Sequence, residues 1–181
     1  MKLLHDIAGM FFGVGILVGA QVDATAATIT FNGGITSSSC RLEGGVPQQQ
    51  VTLPIVHVNH FSGVGSTYGF KDFDINLENC PTQYNKVKIR FSSCASAWAT
   101  QWSDGRCREG LSTSSNLFLE LRGADDVLMK IGAAETDSRS FQINHDGSVS
   151  APFKAGYYAP VMPVKVGNFA VVIGAELTYE E

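Results

Sequence analysis

The sequence predicts an all-β protein, a sandwich of short strands, and three observations carry that prediction. Apolar and polar residues alternate with a period of two in one segment after another, most clearly in Phe70-Lys-Asp-Phe-Asp-Ile-Asn-Leu-Glu-Asn-Cys80. Nineteen glycines among 181 residues, with many Ser, Thr and Asn, punctuate those segments as turns. No segment beyond residue 26 shows the period of an amphipathic helix. The length suits one domain with its own core, and neither a linker nor an internal repeat divides it.

The chain opens differently. Met1-Lys-Leu-Leu-His-Asp holds one basic residue, Ile7 to Ala20 is a short apolar stretch, and Ala24-Thr25-Ala26 supplies the small-x-small pattern that signal peptidase reads. The apolar stretch is too short for a comfortable membrane span. Residues 1–26 are therefore expected to be a signal peptide, cleaved after Ala26, with Ala20 as the second choice. Export places the four cysteines in an oxidising compartment, where two disulfides are the simplest outcome. Four cysteines allow three pairings. Sequence order favours Cys40 with Cys80, tying an opening strand to a mid-chain one, and Cys94 with Cys107, closing a short loop.

Ala27 to Thr36 forms a strictly alternating strand in which Ile29, Phe31, Gly33 and Ile35 share one parity. Gly33 marks a bulge or a place of close backbone approach. Glu43 to Pro47 is a turn, Gln49 to Leu53 a modest strand, and Ile55 to Gly69 a strand followed by a loop. In Phe70 to Cys80 the polar residues Asp72, Asp74, Asn76 and Glu78 point one way and Phe73, Ile75 and Leu77 the other, the pattern of a sheet with one wet face. Val87, Ile89 and Phe91 repeat it with Lys86, Lys88 and Arg90 outward. Strands are also expected at Leu117 to Leu121, Val127 to Ile131, Phe141 to Ile143 and Ala151 to Ala159, the last with Pro152 marking an edge or a start.

The closing segment runs from Gly167 to Tyr179, and Phe169, Val171, Ile173, Ala175, Leu177 and Tyr179 emerge on one unbroken apolar face. A strand this apolar with only Glu180 and Glu181 after it must have its second edge covered by earlier chain or by another molecule.

Several functions are argued against. With 13 basic and 17 acidic residues and a pI near 5.5, no nucleic-acid surface is implied. No nucleophile motif such as Gly-x-Ser-x-Gly is present, and Asp72 to Glu78 reads as a wet sheet face rather than a catalytic carboxylate pair. No enzyme, cofactor or metal site is expected. His57 and His60 in a strand-like run would lie on opposite faces, and no Cys-x-x-Cys pair occurs. Trp98 and Trp102 in the Cys94 to Cys107 loop, with Tyr84 near, are a candidate surface contact able to stack on a glycan, packing being the alternative.

The alternating terminal strands, the cysteine spacing with Leu77-Glu-Asn-Cys80, and the glycine-led last strand ending near Tyr179 together resemble the chaperone-usher pilins, the type 1 fimbrial subunit family. The resemblance covers the whole chain beyond residue 26. Tyr179 stands one residue further from the end than is usual there, and Cys94, Cys107, Trp98 and Trp102 lie outside the common pattern, which suits a minor subunit.

What the resemblance implies is an immunoglobulin-like sandwich lacking its final strand, residues 37–181, completed by a donor strand from a chaperone or a neighbouring subunit. Residues 27–36, with Ile29, Phe31, Gly33 and Ile35, would be this chain's own donor extension. The groove beside Phe169, Val171, Ile173, Ala175, Leu177 and Tyr179 would accept first a periplasmic chaperone, whose basic residues hold the Glu181 carboxylate, and then the next subunit. The implied partners are that chaperone, an outer-membrane usher and neighbouring pilins. The implied destination is the cell-surface fimbrium, reached through the periplasm, where the fibre supports adhesion. A tip adhesin or a secreted carbohydrate-binding module is the alternative, the first weakened because no residues are available for a separate receptor domain.

Overall fold

Two sheets face one another across a single apolar core in the computed structural model, which describes residues 27–33, 40–94, 100–101, 105–108, 116–132 and 137–181. In chain order the strands are β1 (Ala27–Gly33), β2 (Arg41–Leu42), β3 (Gln48–Leu53), β4 (Thr67–Glu78), β5 (Lys86–Cys94), β6 (Thr100–Gln101), β7 (Cys107–Arg108), β8 (Phe118–Gly123), β9 (Leu128–Met129), β10 (Arg139–Gln142), β11 (Val149–Tyr158) and β12 (Ala170–Glu180). One sheet has the order β10-β5-β12-β1-β3 and the other β2-β4-β11-β8-β7-β6, with β9 paired to β8. The described residues contain no α-helix, as the missing helical period predicts.

Alternation decides which side chains enter the core. Phe73, Ile75 and Leu77 of β4, Val87, Ile89 and Phe91 of β5, and Ala151, Phe153 and Ala155 of β11 are buried, while Asp72 and Asp74 between them are exposed. Phe153 sits at the centre, with ring centroids 5.2 Å from Phe91, 5.4 Å from Phe141 and 5.9 Å from Phe73. The Phe91 and Phe141 rings meet it edge-to-face, which adds to the burial of each ring, while the Phe73 ring is tilted by 30°.

The sandwich has two distinct ends. At the disulfide pole, Cys40 is bonded to Cys80 beside the β2–β4 pair, where β12 also ends. At the opposite loop pole, where β1 and β12 begin and β5 and β11 end, Cys94 of β5 is bonded to Cys107 of β7, joining the two sheets. Both pairings are those that sequence order favours. The chain-entropy model assigns about 3–4 kcal/mol to each closed loop.

One local reading needs correction, and a second narrows to the edge of its two alternatives. Residues 54–66 contain no strand: the chain makes a 3-10 turn at Val58–His60 and is tied across to the end of β11 by Gly65 N–H on the Ala159 carbonyl (2.8 Å) and Ala159 N–H on the Ser66 carbonyl (2.9 Å). The alternation there is broken by Gly63 and Gly65, and backbone groups find loop partners instead. Pro152 lies inside β11 rather than at its start, but beyond the end of β8, so that β4 is its one described neighbour at that point.

Candidate functional site

The last strand is not at an edge. β12 lies between β5, antiparallel, and β1, whose residues 28–33 run parallel to residues 170–175. β1 in turn pairs antiparallel with β3, Ala27 opposite Leu53 and Asn32 opposite Gln48. The groove beside β12 is thus filled, and by the chain's own amino-terminal segment rather than by a strand of another molecule. The physical reason is the one that demanded a cover: a row of unpaired N–H and C=O groups on β12 and another on β3 are both satisfied by one inserted strand. Among the described pairings β1–β12 is the sole parallel one.

The floor of the groove is apolar where β1 lies. Ile29 is fully buried and stands opposite Val171, which is 1 % exposed; Phe169 and Ile173 are 5 % and 0 % exposed. The Phe169 ring meets the Tyr157 ring edge-on at 5.4 Å, and Tyr157 Oη donates to the Pro54 carbonyl at 3.1 Å. Burial pushes the Tyr157 hydroxyl up to about 12, because the phenolate would have to form out of water. Gly174 faces a bulge in β5, where a Cβ would come within 2.8 Å of Ser92 Oγ.

Beyond Ala175 the strand is held differently. Ala175, Leu177 and Tyr179 keep the same parity but are half-buried. Tyr179 is stacked on Tyr84 at 5.2 Å and its hydroxyl accepts the Cys40 N–H at 2.8 Å. On the outer face Arg90 pairs with Glu176, and Lys88 with Glu180 at 2.7 Å, where Ser140 Oγ also donates at 2.8 Å. The hydrogen bond from Lys88, then that from Ser140, holds the Glu180 carboxyl below the usual carboxylate range.

Of the other sequence-predicted residues, Phe31 and Gly33 take register positions opposite Ile173 and Ala175, and Glu181 is exposed at the chain end. Ile35, Trp98 and Trp102, and the whole of residues 1–26, lie outside the described residues. Tyr84 does not join the Cys94–Cys107 loop; it stacks at the opposite pole, because the turn after Cys80 folds back onto β12. His57 and His60 are not on opposite faces: the 3-10 turn between them brings their rings to 5.8 Å, edge-on, as i and i+3 eclipse in such a turn. Among the described residues no three His, Cys, Asp or Glu side chains are grouped to hold a metal ion.

One buried charge escapes sequence reasoning. Glu120 of β8 is 1 % exposed, clamped by Arg106 (Nε to Oε2, 2.7 Å) and Arg122 (Nε to Oε1, 2.7 Å). The guanidinium of Arg106 covers the Tyr158 ring at 3.8 Å and that of Arg122 the Phe70 ring at 4.4 Å. Alternation assigns Glu120 correctly to the outer face, but nothing local announces that two arginines and two rings close over it. With both carboxylate oxygens paired, it is a structural clamp rather than a reactive group.

Comparison with known proteins bears on this arrangement. A family model described as fimbrial protein matches residues 29–179. The F17 fimbrial protein of Escherichia coli is 32% identical over 158 residues, covering 82% of this chain and 86% of that one. The major fimbrial subunit SMF-1 of Stenotrophomonas maltophilia is 30% identical over 154 residues, 80% and 88% of the two chains. Among solved structures, the P pilus rod subunit PapA is similar in fold, with a TM-score of 0.57 at 18% identity over 79% of this chain and all (100%) of that one.

Proposed function

From the premise that this chain belongs to the fimbrial protein family, as a structural subunit of a surface fimbrium rather than an enzyme, we propose that it polymerises by donor-strand exchange. Residues 27–36 of one subunit leave their own groove and enter the groove beside β12 of a neighbour. The observation that carries this reading is the seat of β1. A segment at the amino-terminal end of the described chain, separated from the body by residues 34–39, lies in the middle of a sheet between β12 and β3, with Ile29 fully buried. A strand so placed can be replaced by another of the same pattern without disturbing the fold, which is β-augmentation.

The direction of pairing can change in the exchange. β1 runs parallel to β12 and antiparallel to β3 in its own chain, so a donor entering the other way round trades one parallel ladder for another at little cost in backbone pairing. A donor arriving from another subunit is free to run antiparallel to β12, and alternate apolar side chains then enter the pockets of Phe169, Val171 and Ile173 in a favoured register. Before that exchange a periplasmic chaperone takes the place of β1 beside β12 and engages the Glu181 carboxylate, and the neighbour's donor then replaces it. Signal peptidase first removes residues 1–26, an outer-membrane usher presents the subunit, and the finished fimbrium supports adhesion.

The test is deletion of Ala27 to Thr36 in a host that assembles the fibre. Fibres should vanish while the truncated subunit still co-purifies with the periplasmic chaperone. Fibres that persist without the segment end the proposal.

A further inference from the structure

We propose that the loop pole, presenting Ile55, Val58, Val64, Val161, Met162 and Val166, is a docking surface for the disulfide pole of a second copy of this chain. The inference rests on donor-strand exchange and adds to it a contact between the folded bodies.

The donor's tether limits where the body that carries it can sit. β1 starts at the loop pole, Ala27 opposite Leu53 and Thr28 opposite Ala170, but the body that carries it begins at Cys40, held to Tyr179 at the disulfide pole. The seven Cα steps from Gly33 to Cys40 reach about 24 Å at most. A donor's body therefore stays close to the point where its strand leaves the acceptor's groove.

Direction then decides which poles meet. Were the donor to enter a second groove parallel to β12, as in its own chain, it would emerge beside Tyr179 and bring two disulfide poles together. Like against like is a two-fold contact, which closes into a pair and cannot extend. A donor antiparallel to β12 emerges beside Ala170, so its disulfide pole lands on the acceptor's loop pole. That contact is head-to-tail, and repetition makes an open fibre.

The surface chemistry agrees. Of the nine exposed large hydrophobic residues among the described residues, Ile55, Val58, Val64, Tyr68, Val161, Met162 and Val166 are in the loops of that pole or at their margin, with Val64 70% and Val166 69% exposed. An apolar cluster of this kind on a single subunit marks an interaction surface. Its loops are already fixed by the Gly65–Ala159 and Ala159–Ser66 bonds, by Tyr157 on Pro54, and by Asn116, whose Nδ2 donates to the Pro163 carbonyl at 2.9 Å while its Oδ1 accepts Lys165 N–H at 2.9 Å. A preordered surface loses little freedom on docking. The disulfide pole offers half-buried Pro81 and Tyr84 with exposed Thr82 beside them.

The experiment places a benzophenone photo-crosslinking residue at Val64 in fibres assembled by the native host, alongside a Val64→Asp subunit. Adducts mapping to residues 80–86 of a neighbour, together with loss of most surface fibres for Val64→Asp at unchanged melting temperature of the isolated chain, are expected. Adducts that map elsewhere or fail to form in intact fibres, or Val64→Asp fibres of normal number and length, overturn the docking surface. If deleting residues 27–36 leaves fibres intact while Val64 adducts persist, donor exchange fails and the polar contact stands; an intact chain that forms no fibre overturns both.

Discussion

The two halves of β12 share one alternating pattern but are held by different means. In the first half, Phe169, Val171 and Ile173 are sealed under β1 and the facing sheet, and their contribution is the removal of apolar surface from water. In the second half, Ala175, Leu177 and Tyr179 stay half-exposed, and the strand is fastened by a tyrosine stack, a hydrogen bond to Cys40 and two ion pairs. The described part of β1 accompanies β12 only from Ala170 to Ala175. The difference teaches that one half is sealed by a strand from the other end of the chain, whereas the other is anchored to its own domain. The proposed exchange needs both.

Perturbations that separate the halves should scale accordingly. The largest effect is expected from deleting residues 27–36, which exposes the sealed half and the edges of β12 and β3 together. Soluble monomer should be lost to aggregation and recovered by adding a synthetic peptide of those residues, as read by size-exclusion chromatography and circular dichroism. Recovery without the peptide would show that the sealed half does not depend on β1. Next, Ile29→Ala should cost about 2–5 kcal/mol in urea unfolding, because the site is fully buried and collapses only partly. Leu177→Ala, in the half-exposed half, should cost less than half as much, and equal costs would erase the distinction.

Alkaline pH probes the sealed end again. Tyr157 has its hydroxyl raised from 10.0 to about 12, so the folded state favours the neutral phenol. Its contribution is present in full below pH 10 and is lost as pH rises through about 12, an order of 2–3 kcal/mol. A stability profile flat across that interval in the parent and unchanged by Tyr157→Phe would refute the assignment. In the anchored half, Tyr179→Phe removes the acceptor of the Cys40 N–H and should cost about 1 kcal/mol. The smallest effect belongs to Glu180, an exposed carboxylate whose pKa is lowered by Lys88 and Ser140. Its contribution is present above the ordinary carboxylate range and fades as pH falls through the lowered value, so Glu180→Gln should change melting at neutral pH slightly and at low pH not at all.

Much of this was legible from residue patterns. Period-two alternation placed Phe73, Ile75 and Leu77 inside and Asp72 and Asp74 outside, and sequence order favoured the two disulfides that form. It failed where the deciding neighbour is remote. Residues 54–66 looked partly extended, yet glycine breaks and hydrogen bonds to Ala159 make them a loop. Glu120 carries no local signal that Arg106 and Arg122 close on it.

Sequence alone determined the strand period, the face each side chain takes and the presence of an apolar strand at each end of the chain beyond residue 26, because these depend on residues two apart and on composition. Only the tertiary structure decided that β1 lies in its own chain's groove, parallel to β12, and that the burial of β12 stops halfway. Pairing direction is set by backbone hydrogen bonds between segments about 140 residues apart, and the backbone carries the same donor and acceptor at every position whatever the side chain.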